Sequence, residues 1–342
     1  MNDYKEEDIF WRVTNVSDEM TTEKIVVTCF ECLAILPNIL LFILLLRLQG
    51  RTRTSLLMFR FITFCNCIYV FVCNLQDVLL GPLFKQGSWL GYFFCGLFKS
   101  FFIPYTFYNI SSLSLVYFAI YRTMQITENL QLSFTQNLGI DVLTIVYLVI
   151  YSLLMAIPHT LFITYAGDGC YYTASVLSGL ALRFIYAQIY VYFFQFILFN
   201  NIVLLACSYL LIRWVRKTPK KDFFDTLNEL HFPGTSEEEL HLFKRDNSWS
   251  TASMAIVPLT FLYTISTMNR VYKFIASLGI VTYEIGSPYY RIAKSLMLVG
   301  PSLCPYILFF HIPALRFWTK KRFFELIQII LSGINRLPGK EK

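Results

Sequence analysis

The sequence predicts an all-α membrane protein, a seven-transmembrane helix bundle followed by a C-terminal amphipathic interfacial helix, and three observations predict it. The 342 residues are 56% apolar and only 15% charged, well short of the quarter of charged residues in an ordinary soluble domain. The apolar residues gather into runs of about 20 or more, the length that a helix needs to cross a hydrocarbon layer of about 30 Å. The formal net charge is +7, but the basic residues stand between those runs rather than in one compact patch. That placement suits a lipid bilayer surface and argues against a nucleic-acid partner.

The spans follow in order. The first covers 25 to 47 and closes on Arg47. A basic loop with Arg51 and Arg53 leads to the second, 56 to 80, whose Arg60 and Asp77 lie near enough to the interfaces to reach water. The third, 92 to 121, is long and aromatic, running from Tyr92 through Tyr108 and Tyr117 to Arg122. The fourth, 138 to 161, carries Pro158 near its far end, and the fifth, 182 to 212, ends before Arg213. The sixth, 251 to 272, holds Pro258. The seventh, 291 to 312, holds Pro301 and Pro305, prolines that kink a membrane helix where neighbouring groups take up the freed carbonyls. The chain thus divides into an N-terminal segment, 1 to 24, a bundle, 25 to 312, and a tail, 313 to 342.

Orientation follows from the lysine and arginine bias of short loops, which marks the cytoplasmic side. Arg47, Arg51, Arg53, Arg122, Arg213, Arg216, Lys217, Lys320, Lys321 and Arg322 fall on one side. The other side carries fewer, among them Lys24, Lys85, Lys99 and Lys273, together with the acidic residues of the amino terminus. An extracellular amino terminus and a cytoplasmic carboxyl terminus result, as an odd number of crossings requires. The first twenty residues are acidic and polar, so the first apolar run itself directs insertion. Asn15, Val16 and Ser17 form an N-glycosylation acceptor on the outer side.

The connection from 213 to 250 is the longest. Pro233 and Gly234 break it, and Ser236 followed by Glu237 to Glu239 reads as a capped helix start. A sixth helix beginning there is expected to kink at Pro258. From Ala314 to Leu331, Phe323, Leu326, Ile327 and Ile330 share one face beside Lys320, Lys321 and Arg322, the pattern of a helix lying on the membrane surface.

The chemistry-bearing residues argue against an enzyme. His159, His231, His241 and His311 are widely separated, so no metal cluster is expected, and Asp77 and Asp141 have no evident histidine partner. No cofactor is implied. Most of the nine cysteines lie inside apolar runs. Cys95 and Cys170 are placed at outer loops, where the exterior permits a disulfide, with two unpaired thiols as the alternative. Closed, that bond would hold 160 to 182 as a lid near the bundle mouth. At the same end Lys99, Arg183, Arg291 and Lys294 accompany Tyr92, Tyr186, Tyr289 and Tyr290, a set suited to an anionic or hydrogen-bonding ligand or to simple interfacial anchoring.

Several of these residues carry a resemblance. Phe118 to Thr123 is similar to the Leu-Ala-Ile-Asp-Arg-Tyr sequence that ends the third helix of rhodopsin-like G-protein-coupled receptors, with Arg122 on the family's arginine and Tyr121 replacing its acidic partner. Asn38 falls on the asparagine of the first helix, and Cys65 or Asn66 on the aspartate of the second. Ser111 matches the sodium-site serine of the third helix. Trp89 and Cys95 resemble the outer-loop tryptophan and disulfide cysteine, although Cys95 to Arg122 is two residues longer than the family interval. Tyr209, Pro258 and Pro305 match single positions of the fifth, sixth and seventh helices, and the chain resembles the serpentine chemosensory receptors of nematodes more loosely.

The resemblance implies a multi-pass plasma-membrane receptor, in sensory use placed in a cilium, that converts binding of an extracellular small molecule or peptide into activation of a heterotrimeric G protein. It implies Lys99, Arg183, Arg291 and Lys294 as ligand neighbours, and Arg122, Tyr209, Arg213, Arg216 and Lys217 as the partner-facing set. A membrane transporter or channel is the alternative, and it would want paired charged residues at mid-span or a repeated pattern of interrupted helices.

Overall fold

The computed structural model describes residues 10–13, 22–50, 52–78, 89–127, 138–166, 169–172, 179–219, 224–244, 248–285 and 287–334. Helix α1 (Thr22–Arg47) lies against α2 (Arg53–Val78), and α2 against α4 (Phe102–Ile126), which is the central helix. Helix α4 also meets α5 (Leu138–Ala156) and α7 (Asn200–Lys217), and is buried along most of its length. Its burial explains its composition: Asn109, Ser111, Ser112 and Ser114 face protein rather than hydrocarbon.

The surface is the reverse. Leu33 and Leu36 on α1, Leu143 on α5 and Ile202 on α7 are exposed, Leu36 at 70%, whereas Asn38, Thr63 and Asn66 are buried. A polar interior beneath an apolar exterior is the arrangement that a lipid solvent favours. Five helical stretches have the length and apolar composition to cross a bilayer: 27–47, 53–76, 139–162, 179–217 and 288–311. The fourth of these joins α6 (Gly179–Tyr192) to α7 through a π-helical turn at Phe193–Phe199.

The third expected span is not one continuous helix. Helix α3 (Trp89–Phe94) passes into a π-helical turn at Cys95–Lys99, and the chain breaks before α4. Phe101, at the break, has φ 63°, a left-handed conformation uncommon for a side chain of this size.

The sixth expected span also differs from a long helix bent at Pro258. Helix α8 (Glu237–Lys244) is separate, and its capping box closes as the sequence predicts, with Glu239 N donating to Ser236 Oγ (3.2 Å) and Ser236 N to Glu239 Oε2 (3.4 Å). Helix α9 (Ile256–Ser266) starts two residues before Pro258, and in a first turn the missing N–H has no intrahelical partner to lose. The interruption falls instead at Thr267, between α9 and α10 (Met268–Ser277), where Thr267 Oγ1 donates to the Thr264 carbonyl (2.8 Å).

Helix α11 (Pro288–His311) contains Pro301 and Pro305. Pro305 has no N–H, so the carbonyl four residues back, that of Pro301, lacks its helical donor. Asn38 Nδ2 donates to it at 3.1 Å, joining α1 to α11. Helix α12 (Pro313–Ile334) follows directly.

The two ends of the bundle are built differently. At one end β1 (Trp11–Val13) pairs in parallel with β4 (Tyr283–Ile285), Trp11 opposite Tyr283. The hairpin of β2 (Ile163–Ala166) and β3 (Gly169–Tyr172) lies at this end and is tied down by a Cys95–Cys170 disulfide, with Cα atoms 5.7 Å apart. At the other end the 224–244 segment and α12 pack on the main apolar core, where Phe59 and Phe118 meet at 4.5 Å and Leu227 and Leu315 are fully enclosed.

Candidate functional site

The last turns of α4 carry Arg122 into the bundle end opposite the disulfide. Its side chain is buried, and every donor atom of the guanidinium is used. Nε donates to Ser253 Oγ (2.6 Å), Nη1 to Gln125 Oε1 (2.7 Å) and Thr226 Oγ1 (2.9 Å), and Nη2 to Asp225 Oδ1. Asp225 belongs to the segment that follows α7. Its Oδ1 also accepts from Leu227 N (2.9 Å) and its Oδ2 from Ser253 N (3.1 Å). One carboxylate therefore caps two turns and neutralises one buried cation. Burial alone would raise the Asp225 pKa, but Arg122, the Ser253 side chain and the two N–H donors hold it below the ordinary carboxylate value.

Apolar contact and backbone pairing seat this segment. Leu227 and Leu230 are fully buried, and Gln49 and His231 exchange N–H···O bonds of 2.9 and 3.0 Å. Asn228 Oδ1 accepts from Ala252 N (3.3 Å). Gly50 lies close against this segment: a Cβ there would stand 2.7 Å from Leu230 Cδ2 and would push the end of that side chain aside. Arg213, Arg216 and Lys217 are exposed at the end of α7. Tyr209 is 63% exposed and takes no part in the Arg122 network; its neighbour Ser208 faces inward and meets Thr260 Oγ1 at 3.0 Å.

Midway along the bundle, Ser111 Oγ donates to Asn66 Oδ1 (2.7 Å). The partner of Ser111 is thus Asn66 rather than the adjacent Cys65. Asp141, considered above for chemistry, accepts from Thr54 Oγ1 (3.0 Å), a contact between helices.

At the disulfide end lies a cavity of about 50 Å³. Tyr105, His159, Asn269, Lys273, Tyr290 and Lys294 supply polar atoms to its lining, and Phe10, Phe101 and Phe162 help to close it. Lys273 Nζ donates to Tyr105 Oη (3.1 Å), which also accepts from Asn269 Nδ2 (3.1 Å). His159 stacks on Tyr105 with ring centroids 4.0 Å apart. The Lys294 ammonium stands 5.1 Å from the Phe101 ring centre.

Of the four cations expected near a ligand, Lys294 alone lines this cavity. Arg183 is exposed, and Lys99 and Arg291 are part-buried outside the lining. Asn15 lies outside the described residues. Lys273, counted in the sequence only as an outer-side charge, is the second lysine of the cavity. Deeper in, Arg270 is almost fully buried, with its guanidinium carbon 4.1 Å from the Phe196 ring centre and 4.8 Å from that of Tyr192. The spacing of Arg270 and Lys273, which places both on one helical face, is the signal the sequence offered for them.

No protein-family model matches the chain, and no curated protein matches its sequence.

Proposed function

We propose that this chain is a seven-helix receptor of the G-protein-coupled kind, with its cavity open to the exterior and Arg122 at the cytoplasmic face. In this reading α4 and the α9–α10 pair complete the seven crossings, α12 lies on the inner leaflet, and the receptor resides in the plasma membrane. A chemosensory role, ciliary where the cell has a cilium, follows from the resemblance of the sequence.

The observation that carries the reading is that one run of chain serves both ends. Ser253, in the turn just before α9, holds Arg122 and Asp225, while Asn269 and Lys273, further along the chain on α10, line the cavity. A ligand that prefers a different placement of α10 therefore acts on the Arg122 cluster. Such coupling needs only a difference in affinity between two states, typically about 1–3 kcal/mol. In the resting state the 225–231 segment occupies the end of the bundle. Activation removes it and exposes Arg122 to the G protein, beside Arg213, Arg216 and Lys217.

The test is recruitment of a G protein to surface-expressed protein, with a panel of small molecules and peptides, comparing the native chain with Arg122→Ala. Ligand-dependent recruitment that disappears in the variant supports the reading. Solute flux without recruitment of any G-protein class would replace it with a transporter or channel.

A further inference from the structure

The chain seats its own residues 10–13 at the bundle end that carries the cavity. Phe10 lines the cavity itself, and Trp11 is 2% exposed. Their seat is an aromatic cleft. Trp11 packs on Phe162 with ring centres 4.9 Å apart and Phe10 on Tyr186 at 5.4 Å, while the Phe10 and Trp11 rings meet edge to face at 4.8 Å. The backbone runs as β1 beside β4, with Tyr283 N donating to Phe10 O (3.2 Å). In this parallel register the Arg12 N–H faces the Tyr283 carbonyl, and the Arg12 side chain is exposed.

Extended backbone added to a sheet edge, with side chains in pockets beside it, is a mode of peptide recognition. A short two-stranded ladder is marginal on its own, so the two rings supply most of the hold. The fit is incomplete. Trp11 Nε1 is buried and has no hydrogen-bond acceptor among the described residues, whereas a buried indole N–H ordinarily finds one. An orphaned donor cancels part of what the ring contributes, so a peptide with an apolar ring at that position fits better than the resident segment. The walls of the cleft also carry the cavity. Strand β4 lies in the connection between α10 and α11, the helices that bear Asn269, Lys273 and Lys294, and α6 brings Leu182 and Ile185 to the same apolar cluster as Phe10 and Trp11. An occupant of the cleft therefore bears directly on the elements that line the cavity.

We propose that this cleft is a peptide-binding site with residues 10–13 as its tethered occupant, and that an extended peptide carrying two adjacent aromatic side chains displaces them and takes their place on β4. Residues 14–21 join the segment to α1. A covalent tether of this length keeps its end at an effective concentration on the order of millimolar, so an incoming peptide competes with the segment for the cleft. Arrival of the peptide and departure of Phe10 from the cavity wall are then one event. The signalling consequence rests on the receptor reading given above; the binding itself does not.

The experiment uses the full chain purified in nanodiscs and a fluorescent synthetic peptide with the sequence of residues 7–16, its binding followed by anisotropy. The double variant Phe10→Ser, Trp11→Ser empties the cleft and should bind the peptide at least about tenfold more tightly than the native chain, whose own segment competes. Arg12→Pro keeps both rings and changes an exposed side chain, but it removes the N–H that faces β4; it should shift peptide affinity in the same direction. A peptide with serine at both aromatic positions should bind none of the three proteins. One with naphthylalanine in place of the tryptophan, a ring of similar size without the N–H, should bind at least as tightly as the parent. Equal binding of the parent peptide to the native chain and to Arg12→Pro, or binding to neither, overturns the proposal whether or not the double variant folds. Peptide binding that never alters G-protein recruitment would leave the site standing and count against the receptor reading instead.

Discussion

Arg122 and Asp225 are joined in an ion pair whose side chains are 2% and 0% exposed, across 103 positions of sequence. Removing one member of a buried pair typically costs about 3–5 kcal/mol, because the other charge is left enclosed without its partner. That cost falls on the closed arrangement alone, since an opened end returns the guanidinium to water or to a protein partner. On the receptor reading proposed above, Asp225→Asn is therefore expected to raise ligand-free G-protein recruitment by about tenfold or more, at equal surface expression. On the same reading Arg122→Ala is expected to lose recruitment altogether. Unchanged ligand-free recruitment in Asp225→Asn would show that the ion pair does not hold the receptor closed.

The same pair sets a pH dependence. Burial opposes ionisation of Asp225, yet Arg122 and its other hydrogen-bond donors depress its pKa below the ordinary value. A depressed carboxylate contributes stability that is fully present above the unfolded value, near 4, and is lost as pH falls through the folded one. The ion pair thus stays formed from neutral to mildly acidic pH. The ratio of ligand-free recruitment in Asp225→Asn to that in the native chain should be constant from about pH 7.5 to about pH 6, measured in isolated membranes. A ratio falling toward one over that interval would place the Asp225 titration far higher than its surroundings imply.

Seating of the 225–231 segment gives a separate prediction. Gln49 and His231 form a mutually hydrogen-bonded antiparallel pair, a geometry that places Cα atoms about 5.5 Å apart and within the span of a disulfide. The double variant Gln49→Cys, His231→Cys should cross-link under mild oxidant in isolated membranes. Cross-linked protein should fail to recruit a G protein, and reductant should restore recruitment. Full recruitment by fully cross-linked protein would mean that the segment need not leave.

The sequence made the helices legible wherever hydropathy alone determines them, and five of the expected crossings have the required length and composition. It failed where polarity is turned inward. The third span was read from the sequence, but not its break before α4 or the burial of its serines and Asn109, and the α9–α10 break rests on Thr267, a residue without a strong breaking tendency of its own. Arg122 was identifiable from its local motif. Asp225 was not, because its role depends on a contact 103 positions distant, although an aspartate before the Thr226–Glu229 turn is an ordinary cap. Lys273 was overlooked as a cavity residue because its charge fitted the loop count, and only the packing of α10 against Tyr105 reveals the direction of its side chain.

The joint between α1 and α11 is open to a double-mutant cycle. Asn38 Nδ2 donates to Pro301 O at 3.1 Å, a carbonyl freed because Pro305 has no N–H. In a hydrocarbon setting an unpartnered carbonyl has no water to replace the lost bond, so Asn38→Leu should destabilise the chain by about 1–3 kcal/mol. Pro305→Ala restores an N–H one turn along, and Pro301 O then receives its donor from its own helix. In that background Asn38→Leu should cost less, with a coupling of about 1 kcal/mol between the two positions. Unfolding by denaturing detergent in mixed micelles measures all four corners of the cycle. Equal costs of Asn38→Leu in both backgrounds would mean that the bond between α1 and α11 contributes nothing, and that Asn38 acts through its other contact, the Ala34 carbonyl at 3.0 Å.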